Sequence, residues 1–204
     1  MRLALLLVVA AAALPAQDAA FYNRRGEDHF RKGHIAESLA DFDRAIRMDP
    51  RMAPHHWQRG ISLYYAGRYE DGIRQFESHR TVNPDDVENA AWWLLCMARA
   101  GRLAEAQRKM LPVGPDARIP MREIYDYYRG KGSAGDVLAA AERSPHRESL
   151  FYAHLYLGLF ADATGDRDSA RNHLDLAVNR YGANHYMGDV ARVHLRRLES
   201  LPRR

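Results

Sequence analysis

The chain has 204 residues, 47% of them hydrophobic, and carries 30 Lys and Arg against 26 Asp and Glu for a formal charge of +4. The two signs interleave along it, so the clustered positive stripe that phosphate binding needs is absent and nucleic acid is not an expected partner. Its one cysteine, Cys96, excludes an intrachain disulfide and lies in an apolar stretch, where a buried, inert thiol is expected. In chain order, Met1 and Arg2 are followed by an apolar run over residues 3–14 and then Pro15 and Ala16. A basic start, a short apolar core and a small residue at the break form the pattern of a secretory signal, so residues 1–16 are expected to be a signal peptide. The run is shorter than the roughly 20 residues that cross a bilayer. No stable membrane span is therefore expected after cleavage. Without a cysteine after the run there is no lipid-attachment site. The expected location is periplasmic or extracellular, in a bacterial envelope.

From residue 19 onward the sequence is periodic. Gly33, Gly67 and Gly101 stand 34 residues apart, and the same step links Gly26 to Gly60, Phe42 to Phe76 and Pro50 to Pro84. A fixed period of this length predicts stacked helix–turn–helix units. In the first unit, residues 19–52, Tyr22, Gly26 and His29 share one helix face, and Ile35, Leu39, Phe42, Ala45 and Ile46 form the buried stripe of a second helix. Gly26 and Ala45 allow close approach of the two helices, Phe42 is expected to fill the gap to the next pair, and Gly33 stands where a helix ends in left-handed backbone. Residues 53–86 repeat the pattern through Gly60, Leu63, Gly67, Ile73, Phe76 and Pro84. Residues 87–111 are a degenerate unit in which Leu94 replaces the close-approach glycine. Pro112, Gly114, Pro115 and Pro120 predict a loop, and residues 116–144 an irregular helix pair whose second helix Asp136 is expected to cap. The pattern returns over residues 149–182 with Leu157, Gly158, Ala161, Gly165, Ala170, Leu174 and Ala177. A last helix over residues 186–201 is expected to cap the open end of the stack. The basic residues of its tail, Arg196, Arg197, Arg203 and Arg204, are expected on a solvated helix end.

Tyr22, Gly26, Phe42, Ala45 and Pro50, with Gly60, Phe76 and Pro84 one period later, resemble the tetratricopeptide repeat. The resemblance implies an all-α, right-handed α-solenoid and a single repeat domain over residues 17–204. A narrower likeness is to the bacterial outer-membrane lipoprotein adaptor family known as new lipoprotein I. It rests on the order of elements, on residues 124–130 and 136–138, and on Leu155, Tyr156, Leu157, Gly158 with Thr164 to Ala170. That family brings cell-wall hydrolases to a periplasmic protease, so the likeness implies an envelope adaptor; the missing lipid-attachment cysteine departs from it.

In the resembling repeats the first helices line a concave groove. Here that face is expected to carry Asn23, Glu27, Phe30 and Arg31, then Trp57, Ile61, Tyr64 and Tyr65, then Trp92, Leu95 and Arg99. Trp57, Tyr64 and Tyr65 form an aromatic patch suited to an apolar side chain of a protein or peptide partner, flanked by Arg31 and Arg99. The alternative is that Trp57 and Tyr64 pack against the neighbouring repeat. Of the adjacent Trp92 and Trp93, one is expected in the core and the other toward the groove. The Lys or Arg and Asn pattern of a carboxylate clamp is not supplied by Asn23 and Glu27.

The sequence thus points to an exported, non-catalytic scaffold of unidentified protein partner, with no cofactor. Nucleophile elbow, phosphate loop, zinc-protease and dinucleotide motifs are all missing. Ten histidines raise the alternative of a hydrolase or metal-binding protein using the C-terminal third. Yet His185 and His194 are nine apart and fall on opposite helix faces, and His154 and His173 can approach without showing a zinc spacing. Ion pairs of Asp189 with His185, Arg192 or Arg196 are expected instead, and His55 and His56 are expected to be exposed. Self-association into a homodimer through the irregular middle is a further alternative.

Overall fold

The computed structural model describes residues 18–200 and residue 202. The expected signal segment, residues 1–16, lies outside the described residues. Among those residues the secondary structure is entirely helical. The elements are α1 (Ala19–Lys32), α2 (Ile35–Met48), α3 (Trp57–Tyr65), α4 (Tyr69–Arg80), α5 (Val87–Arg99) and α6 (Leu103–Lys109). They continue with α7 (Met121–Tyr128), α8 (Ala134–Arg143), α9 (Arg147–Thr164), α10 (Arg167–Asp175) and α11 (Tyr186–Glu199). A 3₁₀ turn, Pro50–His55, precedes α3, and a π-turn, Leu176–Arg180, extends α10. None of the helices is long and apolar enough to cross a membrane.

Local chemistry sets the helix ends. The Asp18 carboxylate accepts from the Phe21 amide at 2.7 Å and opens α1. Gly33, Gly67 and Gly101 have φ of 82°, 73° and 78°, and each follows the first helix of its pair. A side chain at such a position would be strained, which is why the glycines recur at the period. A Cβ built on Gly26 would lie 2.7 Å from the Phe42 ring, and one on Gly60 would lie 2.6 Å from that of Phe76. Each phenylalanine therefore lies on the glycine of its own helix pair and also meets the next unit, Phe42 at His56 and Phe76 at Trp92. Gly158 and Leu174 repeat the arrangement in α9 and α10, at 2.8 Å. Gly60→Ala forces the buried Phe76 ring off this seat, so a loss of about 2 kcal/mol is expected in urea denaturation. Gly33→Ala acts instead by backbone strain, with no atom to meet.

Three local expectations are corrected. Ser133, not Asp136, caps α8; its hydroxyl accepts from the Asp136 amide while Asp136 accepts from the Ser133 amide. His55 is exposed, but His56 is buried against the Phe42 ring, 4.6 Å between centroids, because the 3₁₀ turn rotates it inward. Trp92 and Trp93 are both buried, and the Trp93 indole donates to Glu77 at 3.2 Å. Cys96 is sealed beside Gly72, and burial pushes its thiol far above the ordinary range.

The second half is tied to the first through α9. Eleven of its 18 residues are buried, it packs on α5, α7, α8 and α10, and its helical turns run between Tyr128, which donates to the Tyr156 carbonyl at 2.8 Å, and α10. The last helix, α11, then returns across the molecule to pack against α1, the start of the stack. That return decides what the concave face looks like.

Candidate functional site

The first helices α1, α3, α5 and α9 turn one face toward a common interior, and α11 lies in it. Tyr186, in the first turn of α11, stacks on Phe30 at 5.2 Å and meets the edge of Trp57 at 5.1 Å. One helical turn further, Asp189 takes Arg31 at 3.0 Å and Arg192 at 2.7 Å. Near its end, Arg196 donates to the Arg31 carbonyl at 2.9 Å and Arg197 lies over the Tyr65 ring. Ring stacking, one ion pair, a bond to a backbone carbonyl and a cation–π contact thus fasten one helix to α1 and α3 along most of its length.

Beneath these ties runs a buried polar chain. The Tyr65 hydroxyl lies 2.9 Å from His194 Nδ1, and His194 Nε2 lies 3.1 Å from Asp162 Oδ2. Arg99 reaches the same carboxylate oxygen at 2.8 Å. Burial pulls the His194 ring below its ordinary pKa against the opposing pull of Asp162, so the imidazole is neutral at pH 7. The carboxylate can only accept, which places the ring proton on Nε2 and leaves Nδ1 to accept from Tyr65. Burial works against ionised Asp162, yet the His194 hydrogen bond and the Arg99 charge hold it below the usual carboxylate range. Four side chains from α3, α5, α9 and α11 are coupled this way.

The expected groove residues divide accordingly. Phe30, Ile61, Tyr64, Trp92 and Leu95 are at most 2% exposed. Tyr65 and Arg99 are engaged by His194 and Asp162, and Arg31 by Asp189 and Asp28. Asn23 and Glu27 are half-buried and bond each other at 3.0 Å on α1. Of the aromatic patch Trp57 and Tyr65 are half-buried, while Tyr64 is buried and packs edge-on against Trp92 at 5.4 Å. The open groove of the sequence reading is thus corrected to a filled one. The last helix was expected over the end of the stack; its apolar stripe, Met187, Val190, Ala191, Val193, Leu195 and Leu198, instead enters the interior.

Recesses stay open beside Asn23 and Gln58 and beside Glu27 and Arg31, and an aromatic slot of about 190 Å³ lies between α3, α4, α5 and the start of α11. Trp57, Phe76, Trp92 and Met187 wall it, and Asp86 and Glu88 stand at its lip. Sequence reasoning listed Trp57 and Trp92 but missed the acids and Met187. The acids read as helix-start residues, and Asp86 does cap α5 by accepting from the Glu88 amide at 3.1 Å.

Three further histidines are paired elsewhere. His185 pairs with Glu148 at 2.9 Å, not with Asp189, and His154 and His173 bond each other through their Nδ1 atoms at 2.9 Å. Among the described residues no group of three or more His, Cys, Asp or Glu is placed to hold a metal ion.

Comparison with known proteins agrees with this geometry. Residues 19–52, which are α1, α2 and the start of the 3₁₀ turn, match the family model described as Tetratricopeptide repeat. The chain is also similar to the Protein SGT1 homolog of Bos taurus, 25% identical over 114 residues, which is 55% of this chain and 32% of that protein. The matched part therefore spans about a third of that relative's length. Helix pairs stacked on a repeating glycine–phenylalanine seat thus form an all-α array whose first pair, residues 19–52, is a tetratricopeptide repeat.

Proposed function

We propose that the chain is an exported, non-catalytic scaffold that docks a protein or peptide on its concave side, in a bacterial envelope. The observation that carries the reading is the slot at Trp57. It lies between α3, α4, α5 and the start of α11, and Trp57, Phe76 and Trp92 line it. Large aromatic side chains in recessed positions supply most of the energy at protein interfaces. A helical stack presents such a slot in fixed form, so little ordering entropy is lost by the scaffold when a partner arrives. The repeat match supports the class of function, and the basic and apolar pattern of residues 1–16 supports export.

The test is partner capture from the native envelope by the wild-type chain and by Trp57→Ala. We expect the variant to lose its specific partner, with captured protein falling roughly tenfold or more, while its helical circular dichroism is unchanged. Equal capture by both would rule out the slot. Retention of the mature chain inside the cytoplasm on cell fractionation would rule out export.

A further inference from the structure

The slot carries more information than its shape. Its volume of about 190 Å³ is that of about six waters, enough for one long side chain. Three of its four walls are aromatic, Trp57, Phe76 and Trp92, and the fourth is the thioether of Met187. Aromatic faces present negative charge, so the walls suit a cation on a slim apolar stem. The lip agrees with them. Asp86 lies 2.8 Å and Asp116 2.6 Å from Arg118, and Glu88 also pairs with this one guanidinium. Burial raises Glu88 above its ordinary pKa against the pull of Arg118, so the excess of negative charge over this one cation rests on Asp86 and Asp116. The local field is felt at Tyr152, whose phenol is pushed up first by burial and then by Glu88 and Glu148. All this stands in a chain whose formal charge is +4, so the acidity belongs to the site and not to the composition.

Two lining residues also hold buried polar atoms without a partner. Asn89 is 4% exposed; its amide nitrogen donates to the Phe76 carbonyl at 3.0 Å, but its Oδ1 has nothing to accept from. Trp92 is 2% exposed and its Nε1 has no acceptor. A buried acceptor left open costs about 1–3 kcal/mol, so a donor-rich group arriving here would find a site already desolvated. The N-terminal end of α5 would by itself favour an anion. Asp86 and Glu88 occupy that end and repel one.

We propose that the slot receives the side chain of a lysine or arginine from the docked partner, with its methylene stem between Trp57, Phe76 and Trp92 and its charged head at Asp86, Glu88 and Asn89. The partner is thus a segment with an accessible basic residue. This rests on the docking function proposed above and names the chemistry of what docks.

The test titrates the full chain with short acetylated and amidated glycine–serine peptides carrying a central lysine, arginine, norleucine or glutamate, followed by NMR. The basic guests are expected to bind, with upfield ring-current shifts confined to their methylene protons, and to bind at least roughly tenfold better than norleucine. Asp86→Asn, which keeps a capping side chain, and Glu88→Gln, which keeps an acceptor for Tyr156, are each expected to weaken them several-fold and to lessen their salt dependence. Preference for glutamate, equal binding of norleucine, or binding of no guest overturns the proposal. Docking itself is read separately, from a photo-reactive side chain at position 57 in the native envelope. A cross-linked partner together with no preference for basic guests sinks the cationic chemistry alone, whereas no cross-link sinks the docking reading.

Discussion

Replacement of Asp162 by alanine is expected to cost about 3 kcal/mol or more and to loosen α11 from the stack. Asp162 is 4% exposed and is the shared acceptor for Arg99 and His194. Removing it leaves the His194 Nε2–H, on a fully buried ring, with no partner, and leaves Arg99 beside the buried Tyr64 without its counter-charge. Breaking a buried pair from one side costs about 3–5 kcal/mol, because the surviving charge remains desolvated. Asp162→Asn keeps an oxygen for the His194 proton and is expected to lose only about half as much. Urea denaturation measures both. A loss below about 1 kcal/mol for Asp162→Ala would mean that the chain of four side chains does not clamp the last helix.

The second large effect is acid lability. Burial lowers His56 and His154 from 6.5 to about 4. Nearby positive charge adds to burial, from Arg59 at His56 and from His173 and Arg180 at His154, while Asp43 opposes it at His56. In the unfolded chain both rings take up a proton near pH 6.5. Below that pH the unfolded state binds more protons than the folded one, so stability falls as pH drops from 6.5 toward 4. At pH 5 each histidine is expected to remove about 2 kcal/mol relative to neutral pH. His173 and His194 shift in the same direction. Both ring nitrogens of His56 are buried without partners, against the Phe42 ring. His56→Phe is therefore expected to raise stability at pH 7 and to flatten the pH 7-to-5 slope by about 2 kcal/mol. An unchanged slope would show that His56 is not held neutral in the fold.

The parts of the fold that were legible in the sequence have causes within a few residues. A helix that must end in left-handed backbone asks for glycine, and Gly33, Gly67 and Gly101 announce three such ends. A phenylalanine that must lie on bare backbone asks for a glycine 16 residues earlier, as Gly26 with Phe42 and Gly60 with Phe76 show. The site was less legible because its causes are distant. Arg31 and Asp189 are 158 residues apart, and Tyr65 and His194 are 129 apart. An apolar stripe on α11 says that the helix must be covered; it does not say by what. Reading that stripe as an end cap left Phe30, Tyr64 and Leu95 available on paper, whereas α11 and its neighbours enclose them. The 3₁₀ turn at Pro50–His55 had a similar effect on a smaller scale, since it alone puts His56 inside. The acid lip was visible as letters, but its excess charge appears only when the distant Arg118 is found to serve Asp86, Glu88 and Asp116 together.

These features assign different tasks to the two sides of the chain. The glycine–phenylalanine seats and the buried polar chain hold the stack together, and the returning helix fills much of the concave face and borders the slot at Trp57. Site-specific photo-cross-linking in the native envelope tests this most directly, with the reactive side chain placed in turn at Trp57, on the slot, and at Arg74, an exposed position of α4 outside its lining. Docking at this recess requires a discrete adduct from position 57 and none from position 74. Adducts from position 74 with none from position 57 would contradict it.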